Sequence, residues 1–381
     1  MTIFQWRGRI SKKAFVDRFR AALQERLPEA VIEEAGELEL HVVSPPQDDT
    51  QTVWLDRAYQ EFCKKPADIE EILSRWVRSI AASGSDTLEV DRIIPVIKHH
   101  GWLQAQGDSL SGEGQFDPWT EAYNSELIVV FAEYRDSLSF CSRSRFDSLG
   151  VALPELRERA FANLRSVIKE VSVAGENGLY LLGAGGTIDS SLLLLDEVTQ
   201  DPRIELVGSP LVGISDRDSF WVADDANPYA VFEIAAKVAR YYRSEPYPIS
   251  RQLFQRQGEL WLPLDAESED KNHPIPNLDL IDIVGVKRDG GVDLVIIVAS
   301  PLSADTRSVF RLSRKIDGYL HEINSETWRK EHPESTPEST GIKVTLHPDS
   351  DPMIAELLDA YTDWVKSCGA QLVVEELGTD E

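Results

Sequence analysis

The chain has 381 residues and a net charge of −26, from 65 acidic and 39 basic side chains. Such a surface repels phosphate backbones and anionic membranes and attracts basic partners over about a Debye length, ~8 Å at physiological salt. No apolar run approaches the ~20 residues of a membrane span, the basic start MTIFQWRGRISKKAF lacks the apolar core of a secretory signal, and Cys63, Cys141 and Cys368 are too scattered for a disulfide framework or a metal site.

A cytoplasmic protein with reduced thiols is therefore expected. Length alone predicts two or three domains. The basic residues Arg7, Arg9, Lys12, Lys13, Arg18 and Arg20 crowd the first twenty positions and read as the solvated face of the first helix.

That helix is predicted from Ser11, a good N-cap, to about Leu27. Phe15, Phe19, Ala22 and Leu23 recur on one face, and Pro28 stops it. Residues 37–43 alternate as a half-buried strand, with Leu38, Leu40 and Val42 on one side. Helices are predicted at 53–63 and, opened by Pro66, at 66–82. Residues 104–118 are rich in Gly, Ser, Asp and Gln and read as a loop, where the N-terminal domain would divide if it has two subdomains.

The apolar run at 126–134 predicts a buried strand, and 153–170 a long helix. A strand at 178–183, a Gly-rich turn and a helix at 189–198 follow. Strands at 204–214 and 219–223 flank the charged turn Ser215–Asp218. A helix at 228–243 and a strand at 258–264 complete this part. Asp265–His273 (DAESEDKNH) has no apolar period and precedes Pro274 and Pro276, so 265–277 reads as an acidic linker. Beyond it, strands at 279–287 and 292–299 flank an Asp-Gly-Gly hairpin turn. A helix at 305–323, a strand at 341–347, a helix at 352–367 and a strand at 370–376 give the order ββαβαβ. The expected class is α+β: a larger N-terminal domain over 1–264 and a compact C-terminal domain over 278–381.

Chemical signatures fail one by one. Gly183–Thr187 lies between a strand and a helix, as a phosphate-cradling turn would, but Ile188 breaks the dinucleotide pattern, and no P-loop sequence exists. There is no GxSxG elbow, no HExxH and no paired CxxC. Adjacent His99 and His100 cannot both grip one ion from a helix. Asp279, Asp282 and Asp293 sit on neighbouring predicted strands and invite a metal-dependent hydrolase or nuclease reading. The turn holding Asp216, Arg217 and Asp218 is the candidate binding tip. No cofactor and no catalytic residue is assigned.

Six segments fall in a familiar series: Leu55–Phe62 (LDRAYQEF), Ile93–Lys98 (IIPVIK), Glu155–Leu164 (ELRERAFANL), Ser190–Leu195 (SSLLLL), Gly213–Val222 (GISDRDSFWV) and Tyr247–Phe254 (YPISRQLF). In order and spacing the series resembles the YtpQ-like family of uncharacterised bacterial proteins, over roughly 10–264. Asp279–Val286 and Gly291–Leu302 look like a second small bacterial domain of unknown function. The resemblance implies a bacterial cytosolic setting and carries no activity or site residue.

The sequence thus favours a non-enzymatic, regulatory or immunity-like module that binds a basic protein, with no nucleic acid and no membrane. The alternatives are the metal-dependent enzyme around Asp279, Asp282 and Asp293, and a scaffold that dimerises through its C-terminal domain.

Overall fold

Ser11 starts the first helix as its side chain suggests: its hydroxyl oxygen accepts from the Ala14 N–H at 3.2 Å, and α1 runs Lys12–Arg26. The structure is a computed structural model and describes residues 10–43, 50–83, 88–104, 117–135, 138–245, 247–288 and 290–378. Arg7 and Arg9, and nearly all of the loop expected at 104–118, lie outside the described residues. The chain divides into two compact units, Met1–Glu121 with Val129–Lys169, and Ala122–Ile128 with Glu170–Glu381.

In the first unit, α1 packs with α2 (Asp56–Lys64) and α3 (Ile69–Ser83) over an antiparallel sheet of β1 (Val31–Gly36), β2 (Glu39–Val43) and β3 (Thr50–Trp54). The predicted apolar stripe is the core: Phe15, Phe19 and Leu23 meet Leu40, Val42, Leu55 and Phe62. Phe15 stacks on Phe62 with ring centroids 5.5 Å apart, a favourable aromatic geometry. A second sheet holds β4 (Ile93–His99), β5 (Thr120–Ala122), β6 (Leu127–Tyr134) and β7 (Leu138–Phe140). Six consecutive residues of β4 are buried, so it is covered on both faces. Two helices follow, α4 (Arg143–Asp147) and α5 (Leu153–Val167). Asn163 of α5 donates to the carbonyls of Val90 and Ile93, both at 2.9 Å, and fixes α5 against the start of β4.

The second unit has two sheets. The larger is antiparallel, in the order β13-β12-β10-β11-β9-β8: β8 (Ser172–Glu176), β9 (Leu179–Gly183), β10 (Pro210–Gly213), β11 (Phe220–Asp224), β12 (Leu253–Gln257) and β13 (Leu260–Pro263). Helix α6 (Pro228–Ser244) crosses it at Gly213, where a Cβ would stand 2.4 Å from a Val238 methyl. The smaller sheet follows the predicted ββαβαβ order: β14 (Ile283–Val286), β15 (Val292–Val298), α7 (Thr306–Ile323), the short α8 (Glu326–Glu331), β16 (Thr340–Leu346), α9 (Pro352–Ala360), α10 (Thr362–Ser367) and β17 (Gln371–Glu376). β15, β16 and β17 are parallel, and β14 is antiparallel to β15. The architecture is α+β.

Two predicted elements change type. Residues 189–198 form 3-10 turns rather than an α-helix, because the Asp189 carboxylate turns back to the N–H groups of Ala184 and Gly186. Residues 204–209 are not strand. Side chains meet several of their N–H groups instead: Asp224 accepts from Val207 at 2.7 Å and Gly208 at 2.9 Å, and the Tyr180 hydroxyl from Glu205 at 3.2 Å.

One apolar core runs through the second unit from Leu211 and Val231 to Ile342 and Leu372, with Phe310, Leu312 and Ile316 of α7 inside it. Helix α7 buries 13 of its 18 residues, so both its apolar and its polar face are enclosed. The polar stretch 265–277, read from sequence as a linker, belongs to this unit. Asp265 and Ile275 are buried, and the stretch wraps α7.

Candidate functional site

β9 and β10 end, and β11 and β12 begin, at one end of the larger sheet, so loops 184–189, 214–219 and 247–252 meet there. Backbone bonds tie them: Arg217 N–H to Tyr247 O at 3.0 Å, Ser190 N–H to Arg217 O at 3.1 Å and Ile249 N–H to Ser215 O at 2.9 Å. The charged turn is thereby brought beside the Gly-rich turn, which the sequence treats separately.

Within this node Asp216 is only 4% exposed. It accepts from the hydroxyls of Ser215 (2.7 Å) and Ser219 (2.8 Å) and from the Asp218 N–H (2.9 Å). Burial pushes its pKa up, and these donors pull the other way without cancelling the shift. Asp189 is also pushed up by burial, and it accepts from Ala184 N–H at 2.8 Å and Gly186 N–H at 3.0 Å. Asp218 takes the Thr187 N–H at 2.7 Å. Gly185, Gly186 and Thr187 all have positive φ, which folds their N–H groups inward. A phosphate would need such N–H groups, and the chain's own carboxylates already hold those of Ala184, Gly186 and Thr187. Arg217 lies over the Tyr247 ring at 3.8 Å and pairs with Asp218 at 2.8 Å. Of the three predicted tip residues, one is thus inside the fold and the other two neutralise each other.

A second cluster resembles a catalytic triad. Ser308 Oγ stands 3.3 Å from His273 Nε2 and 2.7 Å from Asp305. The polarity is wrong for serine activation. His273 Nδ1 accepts the Ile275 N–H at 3.0 Å, so the proton of the neutral ring sits on Nε2, which donates to Ser308. Burial, with Arg311 and Arg307 nearby, pulls the His273 pKa down and keeps that neutral form. Asp305 is the N-cap of α7, accepting from Arg307 and Ser308 N–H at 3.0 Å each. The cluster caps a helix.

The three carboxylates of the hydrolase reading do not converge. Asp279 pairs with Arg251 at 3.6 Å. Asp282 takes Lys315 at 2.7 Å and the Ile297 N–H at 3.1 Å. Asp293 pairs with Lys287 at 2.7 Å and Lys343 at 3.5 Å. Among the described residues no group of three His, Cys, Asp or Glu side chains could hold a metal ion. Cys63, Cys141 and Cys368 are free thiols.

What the structure does gather is an acidic groove of about 430 Å³ beside α9 and the end of β17. Asp351, Glu356, Glu375 and Glu376 line it together with Pro352 and Val374, and no lysine or arginine is among its lining residues. Glu375 reaches Lys343 at 3.4 Å, and Asp351 caps α9 through the Met353 N–H at 3.0 Å. Glu356 and Glu376 make no ion pair among the described residues. Sequence reasoning missed this groove, because its acids come from positions twenty residues apart that only the parallel β16–β17 pairing brings together.

Residues 274–378 match a family of unknown function, DUF6572. A UPF0354 protein of Bacillus cytotoxicus is 24% identical over 194 residues, half of this chain and 70% of that protein. UPF0354 proteins of Bacillus thuringiensis and Bacillus cereus are 23% identical over 194 residues, half of this chain and 69% of theirs. The chain is similar to uncharacterised bacterial proteins. No solved structure matches it. Among the described residues no helix is long and apolar enough to cross a membrane.

Proposed function

We propose that this chain is a protein-binding module, regulatory or immunity-like, that engages a basic protein through the groove between α9 and β17. The observation that carries this reading is four carboxylates around one hollow that is also lined by apolar side chains and by no lysine or arginine, on a chain of net charge −26. Such a field steers a cation-bearing surface and raises its association rate, while Pro352, Ala355 and Val374 offer apolar contact once it has docked. The motif series supports a YtpQ-like placement, and the charge supports a cytoplasmic setting.

The test is capture from native extract on the immobilised chain, at about 50 mM and about 500 mM salt, where the Debye length falls from roughly 14 Å to 4 Å. A basic protein should be held at low salt, released at high salt, and lost with Glu356→Lys/Glu376→Lys. No retained basic protein, or retention indifferent to salt and to the double variant, contradicts the reading.

A further inference from the structure

We propose that β14 is a self-pairing edge, through which two copies of this chain join antiparallel about a two-fold axis at Gly285. The smaller sheet has the order β14-β15-β16-β17, so β14 and β17 are its edges. Natural edge strands carry charges, prolines or covers that forbid further pairing. β17 ends in Glu375 and Glu376, and a second β17 laid against it would meet like charge. β14 has no such guard. Its sequence is IVGV, with Ile283 47%, Val284 45% and Val286 67% exposed, and Leu280 just before it is 62% exposed.

The hydrogen-bonding direction of this edge follows from its neighbour. Lys287 N–H bonds Gly291 O at 2.7 Å, and Val292 N–H turns the other way to Ser339 O at 3.1 Å. With the antiparallel alternation, Ile283 and Gly285 direct their N–H and C=O groups to β15, and Val284 and Val286 direct theirs outward. An incoming strand therefore finds the outward groups of Val284 and Val286.

Charge then selects the occupant and its direction. Asp279 and Asp282, paired in their own chain with Arg251 and Lys315, precede the strand; Lys287, paired with Asp293, and Arg288 follow it. Two antiparallel copies bring each Arg288 to the other copy's Asp282 carboxylate, whereas parallel copies would bring Arg288 to Arg288. Arg288 is exposed and has no ion pair among the described residues. Centring the pairing on Gly285 sets Val284 opposite the partner's Val286, and Asp282 opposite the partner's Arg288. Val284 and Val286 are in register with buried Leu294 and Val292, so the valine pairs extend that layer of the core across the junction. Gly285 itself has no need to be glycine within its own chain: its φ is not positive, and a Cβ would find nothing nearer than the Asp293 carbonyl at 3.8 Å. At the two-fold axis it would face its own copy in a non-hydrogen-bonded pair, the closest approach in an antiparallel sheet, at about 4.5 Å.

Sedimentation equilibrium of the full chain at physiological salt tests this. The expected result is a reversible rise from 42.7 kDa toward twice that mass, with a micromolar midpoint. Val284→Pro deletes an N–H the chain does not use internally, and Val286→Lys places a charge on the edge. Each should weaken the dimer at least tenfold with an unchanged circular dichroism spectrum. If Val284→Pro impairs folding, Val286→Lys at the more exposed position decides alone. A chain that stays monomeric, or a dimer untouched by both changes, overturns the proposal. Glu356→Lys/Glu376→Lys should leave self-association intact, so failure here is separable from failure of the basic-partner reading.

Discussion

Arg311 has no exposed surface, and its guanidinium makes four hydrogen bonds to the segment before β14. Nε donates to Ile275 O at 2.9 Å, Nη1 to Asp265 and to Glu267 O at 3.1 Å, and Nη2 to Ser268 O at 3.0 Å. Removing one partner of a buried ion pair strands the other, at a typical cost of ~3–5 kcal/mol. Arg307 also reaches Asp265, at 3.0 Å, and will offset part of that. Arg311→Met should therefore lower stability by about 3 kcal/mol in urea unfolding, and Arg311→Met/Asp265→Asn should recover some of it. Asp216 makes a pH prediction. Its folded pKa is raised above the ordinary 3.8 by burial, so the native state holds its proton to higher pH than the unfolded chain does. Stability from this group is then full below 3.8 and declines as pH rises through the folded value. Asp216→Asn removes that decline. Compared with the variant, the wild type should gain stability on acidification from neutral pH, seen in denaturation midpoints across that window; an equal response of the two proteins would contradict it. None of these partners can be read from sequence. DAESEDKNH looks like solvated charge because composition cannot reveal a buried arginine forty residues later.

At the scale of elements, strong periodicity was legible and weak periodicity was not. The stripe Phe15, Phe19, Leu23 and the ββαβαβ order of the last hundred residues are where they were expected. β1 (VIEEAG), β8 (SVAGE) and β12 (LFQRQ) escaped, because their exposed positions break the alternation that marks a strand. The segment 204–209 failed for a different reason: a buried carboxylate takes the place of a neighbouring strand. The role of α7 also exceeds its sequence. It packs along α6, where Ser313 bonds Phe232 O at 3.0 Å and Arg243 grips Asp317 at 2.8 Å. It also meets β15, where the Tyr319 hydroxyl donates to Val295 O at 3.2 Å. A fragment 278–381 loses the partners of Arg311 and Asp317 and uncovers the face that α6 covers. Fragment 170–381 keeps them. We expect the longer fragment to unfold cooperatively and the shorter one to be markedly less stable, by thermal denaturation; equal melting temperatures would contradict the shared core.

At the scale of the whole molecule, charge dominates. The acidic excess was evident at once from composition, but its focus at Glu356, Glu375 and Glu376 depends on strand pairing. Asp216, Arg217 and Asp218, the expected binding tip, form an internally bonded node. Salt separates the two associations proposed. A basic partner is drawn by the field and should bind more weakly as salt rises. Two copies at −26 each repel, so screening should help them pair at β14. The most direct test of the central claim is the association rate constant with the captured basic partner, measured against ionic strength for the wild type and Glu356→Lys/Glu376→Lys. The account predicts a wild-type rate that falls steeply with salt, and a variant rate at least tenfold lower at low salt with a much smaller change in dissociation rate. Equal association rates for the two proteins at low salt would contradict it.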